Sequence, residues 1–138
     1  MRDAVHALKY SGVDAVAVAL AGALVDLLPS SAAALVPIPR VVARRTRYGS
    51  DPGRMLARAV GRRTGIPVVE ALRAPWFTTS QVRRRRASGA PFILCRPLPD
   101  HSVLVDDVLT TGATLLTAWR ACAGATTDAV TVTRSAHA

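Results

Sequence analysis

The most constraining feature of this sequence is the stretch from Ser102 to Ala125, SVLVDDVLTTGATLLTAWRACAGA. It begins with three apolar residues, Val103 to Val105, which are typical of a short buried strand. Two adjacent carboxylates follow, Asp106 and Asp107, and then a turn of small residues opens an apolar helical pattern that is expected to stop at Gly124. The residues spaced for one face of this helix are Leu115, Leu116, Trp119 and Cys122. Strand, acid pair, turn and helix in this order predict one unit of a parallel α/β sheet.

The turn in this stretch has the chemistry of a phosphate-binding loop. Free backbone N–H groups and the positive end of the helix dipole attract an anion. Gly112 lets a ligand approach the backbone, and the neighbouring threonines add hydroxyl donors. The two carboxylates would repel a second phosphate, so they suit a neutral hydroxylated group or a metal ion. A sugar phosphate satisfies both demands; the alternative is an ordinary strand–turn–helix with exposed acids.

Residues 103–114, VLVDDVLTTGAT, resemble the motif with which type I phosphoribosyltransferases bind 5-phosphoribosyl-1-pyrophosphate (PRPP). The resemblance implies that Asp106 and Asp107 are the catalytic pair and hold the ribose 2′ and 3′ hydroxyls. It implies Mg²⁺ as the cofactor, arriving with PRPP and contacting no protein group except, at most, these two carboxylates. The 5′-phosphate would be bound by Thr110, Thr111, Gly112, Ala113 and Thr114.

A second motif, Ala34 to Pro39 (ALVPIP), indicates a short buried strand that ends in a rigid turn beside several arginines. Arginine suits bidentate contact with phosphate, and it suits nucleic acid equally well. In the type I family the loop after the first core strand binds pyrophosphate, and VPIPR resembles that loop in ComF-type members. The alternative for each arginine is a solvated basic helix face. The residues implied in pyrophosphate binding are Pro37, Ile38, Pro39 and Arg40.

The least regular part of the sequence runs from Arg73 to Pro91. Long loops in compact domains are often lids or binding loops. The resemblance implies a flexible hood loop here, with basic residues that close over the pyrophosphate. A basic run near Trp76 and Phe77 also suits single-stranded nucleic acid, and a solvated charge run is the third interpretation. The hood candidates are Gln81, Arg83, Arg84, Arg85 and Arg86.

Further helices and strands are indicated around these motifs. A helix is predicted to begin at Asp51-Pro52, an N-cap acid followed by proline at the first position, and to end at Thr64-Gly65. Short strands are expected at Ile66 to Val69, Phe92 to Leu94 and Ala129 to Thr133. An amphipathic helix is predicted from Val13 to Leu28, with its buried face formed by Val13, Val16, Ala17, Leu20, Leu24, Leu27 and Leu28.

Composition limits the class of protein. With 138 residues, half of them hydrophobic, one domain with an aliphatic core is expected. Cys95 and Cys122 lack paired spacing, and the three histidines lack ligand spacing, so we expect neither a disulfide framework nor zinc. The early apolar run leaves a secretory signal open, but Asp14 abuts it and it is too short to span a bilayer. We therefore expect no membrane span, and the resemblance to PRPP-binding proteins implies a cytoplasmic protein, because PRPP is made inside the cell.

From Ala7 to about Arg134 the order of motifs resembles the ComF family, the amidophosphoribosyltransferase-like competence proteins. The expected fold is α/β, of the type I phosphoribosyltransferase kind, with a mostly parallel central sheet flanked by helices. Residues 1–30 would form a helical segment and residues 31–138 the PRPP-binding core, with no N-terminal zinc segment. The expected activity is Mg²⁺-dependent phosphoribosyl transfer to an unknown acceptor, with release of pyrophosphate.

Two other functions remain open. A net charge of +9 favours a non-catalytic ComF-type protein for competence and DNA uptake, with single-stranded DNA or competence-machinery proteins as partners. A regulator that senses PRPP without chemistry is the other. The resemblance leaves a homodimer open as well.

Overall fold

Three parallel strands form the centre of the fold, which we describe from a computed structural model for residues 15–40, 51–74, 92–109, 112–122 and 124–134. In chain order, the elements are helix α1 (15–25), strand β1 (Ala34–Pro37), helix α2 (Pro52–Thr64), strands β2 (Leu72–Arg73), β3 (Ile93–Leu94) and β4 (Ser102–Leu109), helix α3 (Ala113–Ala121) and strand β5 (Thr126–Arg134). The central sheet has the order β1-β4-β5. The chain is therefore an α/β protein with a parallel sheet flanked by helices, as the sequence predicts.

Strand β4 occupies the middle of the sheet because it is apolar on both faces. It pairs with β1 from Ala34↔Ser102 to Pro37↔Val105. Its pairing with β5 continues further, as far as Leu109↔Arg134. Asp106 and Asp107 are expected from the sequence to follow the strand, but they lie within it. They come after Val105, the last residue of β4 that pairs with β1, and within the part of β4 that still pairs with β5.

The segment expected as a strand at residues 66–69 is reduced to a single parallel bridge, Leu35↔Val68. The Leu35 N–H donates to the Pro67 carbonyl at 2.9 Å, and the Val69 N–H donates to the Leu35 carbonyl at 2.9 Å. This segment still lies on the side of β1 opposite to β4. The connection after β1 therefore leads toward one edge of the sheet, and the connection after β4 leads toward the other edge.

Side chains on the two faces of the sheet enter two separate cores. Leu35 and Val103 point to the face covered by α1 and α2, whereas Val36 and Leu104 point to the face covered by α3. This alternation is the two-residue period of a strand. The first core also contains Ala17, Ala21, Leu24, Leu56, Ala57, Ala59, Val60, Val105 and Val130. The second also contains Ile38, Ala71, Leu72, Ala74, Phe92, Ala118 and Cys122.

Helix α2 has the ends that its sequence predicts. The Asp51 side chain accepts from the Arg54 N–H at 3.4 Å, and Pro52 occupies the first turn. Gly65 ends the helix in the left-handed region, with φ of 77°. The buried side of α2 comprises Gly53, Leu56, Ala57, Ala59 and Val60.

The buried faces of the other two helices differ from those expected. In α1 the helix ends at residue 25 rather than 28, and Val16 and Leu27 are exposed. In α3 the exposed residues are Leu116 and Trp119. Ala17 and Leu24 of α1, and Leu115 and Cys122 at α3, meet the sheet as expected, and Ala21 and Ala118 join them. Val13 lies outside the described residues. Small alanines let these helices approach the sheet closely, which the larger residues would prevent.

The returning strand expected at residues 92–94 is present. Strand β3 pairs antiparallel with β2 through Leu72↔Leu94 and Arg73↔Ile93. Within the described ranges, no helix combines the length and the apolar character needed to cross a membrane.

Candidate functional site

The carboxyl ends of β1 and β4 meet at an ion pair. The Ile38 N–H donates to the Val105 carbonyl at 3.0 Å, which fixes the chain just after β1 against β4. Two residues further on, the Arg40 guanidinium lies 2.8 Å from an Asp107 carboxylate oxygen. The side chains are 32% and 26% exposed, so the pair is partly shielded from water. Residues 67 positions apart in sequence thus meet in one place.

This place is where the chain reverses its direction across the sheet. The connection after β1 leads to residues 66–69 on one side, and the connection after β4 leads to β5 on the other. The two connections therefore diverge at the carboxyl ends of β1 and β4. In open parallel sheets a ligand-binding crevice is expected at such a point. The Arg40–Asp107 ion pair lies at this point.

Asp106 lies beside this ion pair but in a different environment. Its carboxylate accepts the Asp107 backbone N–H at 2.9 Å. The pKa of Asp106 is raised to about 7, first by burial and then by the side-chain hydrogen bond and negative charge of Asp107, while the Asp107 backbone N–H and Arg40 act to lower it. Near neutral pH Asp106 therefore exists in both its protonated and its charged form.

The N-terminus of α2 closes one wall of the crevice. A Cβ atom at Gly53 would lie 3.1 Å from the Ile38 carbonyl oxygen and 3.4 Å from that of Val105. Glycine at this position lets the first turn of α2 approach these two carbonyl groups closely, whereas a side chain would require the Ile38 carbonyl to shift by a few tenths of an ångström. The sequence identifies Asp51-Pro52 as a helix start, but not as part of the site. No local pattern relates Gly53 to Val105, because the contact exists only in the folded sheet.

The N-terminus of α3 comes directly after β4 in the chain. Gly112 has φ of 76° and occupies the N-cap position without a side-chain cap, and its carbonyl accepts the Leu116 N–H at 2.9 Å. Ala113 and Thr114 are exposed in the first turn. A left-handed glycine at the start of a helix is compatible with the phosphate-binding turn that the sequence predicts.

The predicted site residues thus fall into three groups. Pro37, Ile38, Pro39 and Arg40 lie together with Asp106 and Asp107 at the ends of adjacent strands. Gly112, Ala113 and Thr114 begin the helix after β4. The predictions for Thr110, Thr111, Gln81, Arg83, Arg84, Arg85 and Arg86 lie outside the described residues.

The donor set is compatible with the implied Mg²⁺. Magnesium prefers oxygen ligands and usually takes one or two carboxylates together with substrate phosphates. Asp106 and Asp107 offer such oxygens at a crevice. Among the residues whose placement is described, no group of three or more histidine, cysteine, aspartate or glutamate side chains is arranged to hold a metal. The two carboxylates therefore fit an ion shared with substrate phosphates.

No protein-family model matches this chain, and no curated protein matches it.

Proposed function

We propose that this protein binds PRPP and transfers its phosphoribosyl group to an acceptor with release of pyrophosphate, as a type I phosphoribosyltransferase of the ComF kind. The observation that carries the proposal is the meeting of Arg40 and Asp107, at 2.8 Å, where the sheet changes direction. A cation for pyrophosphate and a carboxylate for ribose hydroxyls stand side by side there. PRPP carries its pyrophosphate and a ribose hydroxyl on adjacent carbons of one ring.

The ligand is held at its two ends by different chemistry. The turn that begins α3, with Gly112 in the left-handed region, binds the 5′-phosphate through backbone N–H groups. Asp106 and Asp107 accept hydrogen bonds from the 2′ and 3′ hydroxyls. Arg40 contacts the pyrophosphate. The 5′-phosphate is bound at a distance from the reacting carbon, and its binding energy helps to position C1.

In the reaction the acceptor attacks C1 of PRPP, and the bond from C1 to the pyrophosphate oxygen breaks with its electron pair on the leaving group. Positive charge develops on the ribose ring, and the carboxylates of Asp106 and Asp107 favour it. Negative charge develops on the pyrophosphate, and the Arg40 guanidinium favours that. Mg²⁺, when bound together with PRPP, supplies further positive charge at the leaving group.

The first experiment is calorimetric titration of the protein with PRPP in the presence of Mg²⁺. Wild type should show saturable binding, and Asp107→Asn should weaken it at least about tenfold, because a charge-assisted hydrogen bond to a ribose hydroxyl is lost. Asp26→Asn is the matched control: it makes the same charge change on an exposed residue that directly follows α1 and is not among the predicted site residues. Equal PRPP affinity in wild type and Asp107→Asn would remove the ribose assignment.

A second function is favoured by one observation, the excess of 18 basic over 9 acidic residues. A ComF-type protein that acts in DNA uptake would use this charge to bind single-stranded DNA or partner proteins. Release of pyrophosphate in the presence of nucleobases supports the enzyme, whereas a folded protein that ignores millimolar PRPP and binds oligonucleotides supports the alternative. A PRPP sensor would bind PRPP and release no pyrophosphate with any acceptor.

A further inference from the structure

The two groups assigned to different parts of the ligand are bonded to each other in the free protein. Arg40 donates to Asp107 at 2.8 Å, and both side chains are no more than a third exposed. A guanidinium paired with a carboxylate carries little net charge toward an approaching anion. A carboxylate paired with a guanidinium likewise has fewer lone pairs for a hydroxyl or a cation. Asp107 therefore occupies the binding position on Arg40 that a pyrophosphate would take, and Arg40 occupies the position on Asp107 that a hydroxyl or a cation would take.

This arrangement has unequal consequences for different ligands. A bare anion that takes Arg40 must break the ion pair, and it leaves Asp107 partly buried, charged and without that partner, next to the new negative charge. Losing one partner of a shielded pair is costly for the group that remains. A ligand that brings an anion together with a hydroxyl or a divalent cation replaces both halves of the pair at once.

We propose that the Arg40–Asp107 ion pair is an internal competitor that sets the specificity of the crevice: it disfavours lone anions and admits ligands that carry a pyrophosphate together with a diol or divalent cation. Arg40 and Asp107 are then specificity-determining residues through their bond to each other as well as through contact with the ligand. The description of the favoured ligand rests on the proposed function, but the competition can be measured with inorganic pyrophosphate alone.

The chain contains a matched ion-pair cluster away from the crevice. Glu70 binds Arg54 at 2.8 Å and Arg58 at 3.0 Å, and it joins α2 to the edge of the sheet. These side chains are 35–56% exposed, so this cluster is somewhat more open to water than the Arg40–Asp107 pair. Glu70→Gln frees two arginines at once. It therefore tests whether any freed arginine on this protein attracts pyrophosphate.

The test is a double-mutant cycle in pyrophosphate affinity, measured without divalent cations at pH 8 and fixed salt. Asp107→Asn should bind pyrophosphate roughly fivefold more tightly than wild type, because Arg40 is freed. In the Arg40→Gln background the same change should alter the affinity less than about twofold. Glu70→Gln should match wild type. An acid-to-amide change that raises affinity for one ligand and lowers affinity for PRPP is not expected from loss of folding.

Simple removal of a repelling charge is the competing explanation, and two results would identify it. Asp107→Asn would then raise affinity equally with and without Arg40. Asp106→Asn, which at pH 8 also removes a negative charge but leaves the ion pair intact, would raise it as much as Asp107→Asn. Either result overturns the proposal, and so does a lack of pyrophosphate binding by Asp107→Asn. If the cycle behaves as expected but wild type does not bind PRPP with Mg²⁺, the ion pair is a competitor and the proposed function is wrong.

Discussion

Asp106 and Asp107 are neighbours in the sequence with opposite circumstances in the fold. Both lie in the part of β4 that extends beyond its pairing with β1. Asp107 meets Arg40, whereas Asp106 accepts a single backbone N–H and has its pKa raised to about 7 by burial. Two identical residues thus divide into one paired charge and one carboxyl that titrates near neutrality.

This division predicts the pH dependence of stability. An unfolded aspartate releases its proton near its ordinary pKa of 3.8, whereas folded Asp106 keeps it up to about 7. Between these values the folded state binds more protons, so the Asp106 contribution to the free energy of unfolding falls as pH rises. Asp106→Asn removes this loss and should be more stable than wild type at pH 8, by on the order of 1 kcal/mol after allowance for solvent screening. The advantage should vanish near pH 4.

Urea unfolding of both proteins at pH 4, 6 and 8 measures this difference. Asp107→Asn is the comparison, because it leaves Arg40 without its carboxylate and should destabilise at pH 8. A stability difference between Asp106→Asn and wild type that stays constant across the three pH values would contradict the burial of Asp106.

Helix α2 is held in place by the close approach of its glycines to neighbouring backbone, as well as by burial of its apolar side chains. A Cβ at Gly61 would lie 2.9 Å from the Ile66 carbonyl oxygen and 2.9 Å from a Val68 methyl carbon. Gly61 therefore lets the helix pack directly on the segment that extends the sheet beyond β1. At the other end of the same helix, Gly53 allows a close approach to the carbonyl groups of Ile38, just after β1, and of Val105 in β4. The position of the crevice wall depends on both contacts.

Gly61→Ala should therefore destabilise the protein by about 1–3 kcal/mol, although alanine is the better helix former, because the new methyl group meets backbone that cannot turn aside. Gly22→Ala is the matched control. Gly22 is also helical, in α1, but its Cβ would lie 3.7 Å or more from the Arg63 guanidinium, an ordinary contact. Gly22→Ala should be neutral or stabilise by up to about 1 kcal/mol. Thermal unfolding of the two variants that shows equal shifts would contradict this packing of α2.

For the whole molecule, the +9 net charge predicts attraction to any polyanion. If PRPP is the specific ligand, binding of a single-stranded oligonucleotide should be non-specific and should fall steeply between about 50 and 200 mM salt. PRPP binding depends on directed hydrogen bonds as well as charge and should fall less. Fluorescence anisotropy and calorimetry over the same salt series compare the two. Oligonucleotide affinity that survives 200 mM salt better than PRPP affinity would favour the DNA-uptake alternative.

The sequence by itself determined the elements and the chemistry of the candidate site. Local patterns decide these features: the apolar run of β4, the Asp51-Pro52 start and Gly65 end of α2, the acid pair and the Gly112 turn. The same patterns misassigned only part of the buried faces of α1 and α3, because exposed Leu116 and Trp119 satisfy a helical period as well as buried Ala118 does. The spacing of apolar residues predicts which residues share a face of a helix, but it does not predict how closely that face packs on the sheet.

Only the tertiary structure decided which residues meet. The Arg40–Asp107 bond joins positions 67 apart, and the contact of Gly53 with Val105 spans two different elements. Both arise because parallel strands bring their carboxyl ends to one edge, and because the connections after β1 and β4 leave in opposite directions. The raised pKa of Asp106 has the same origin, since burial is a property of the packed sheet and not of the residue.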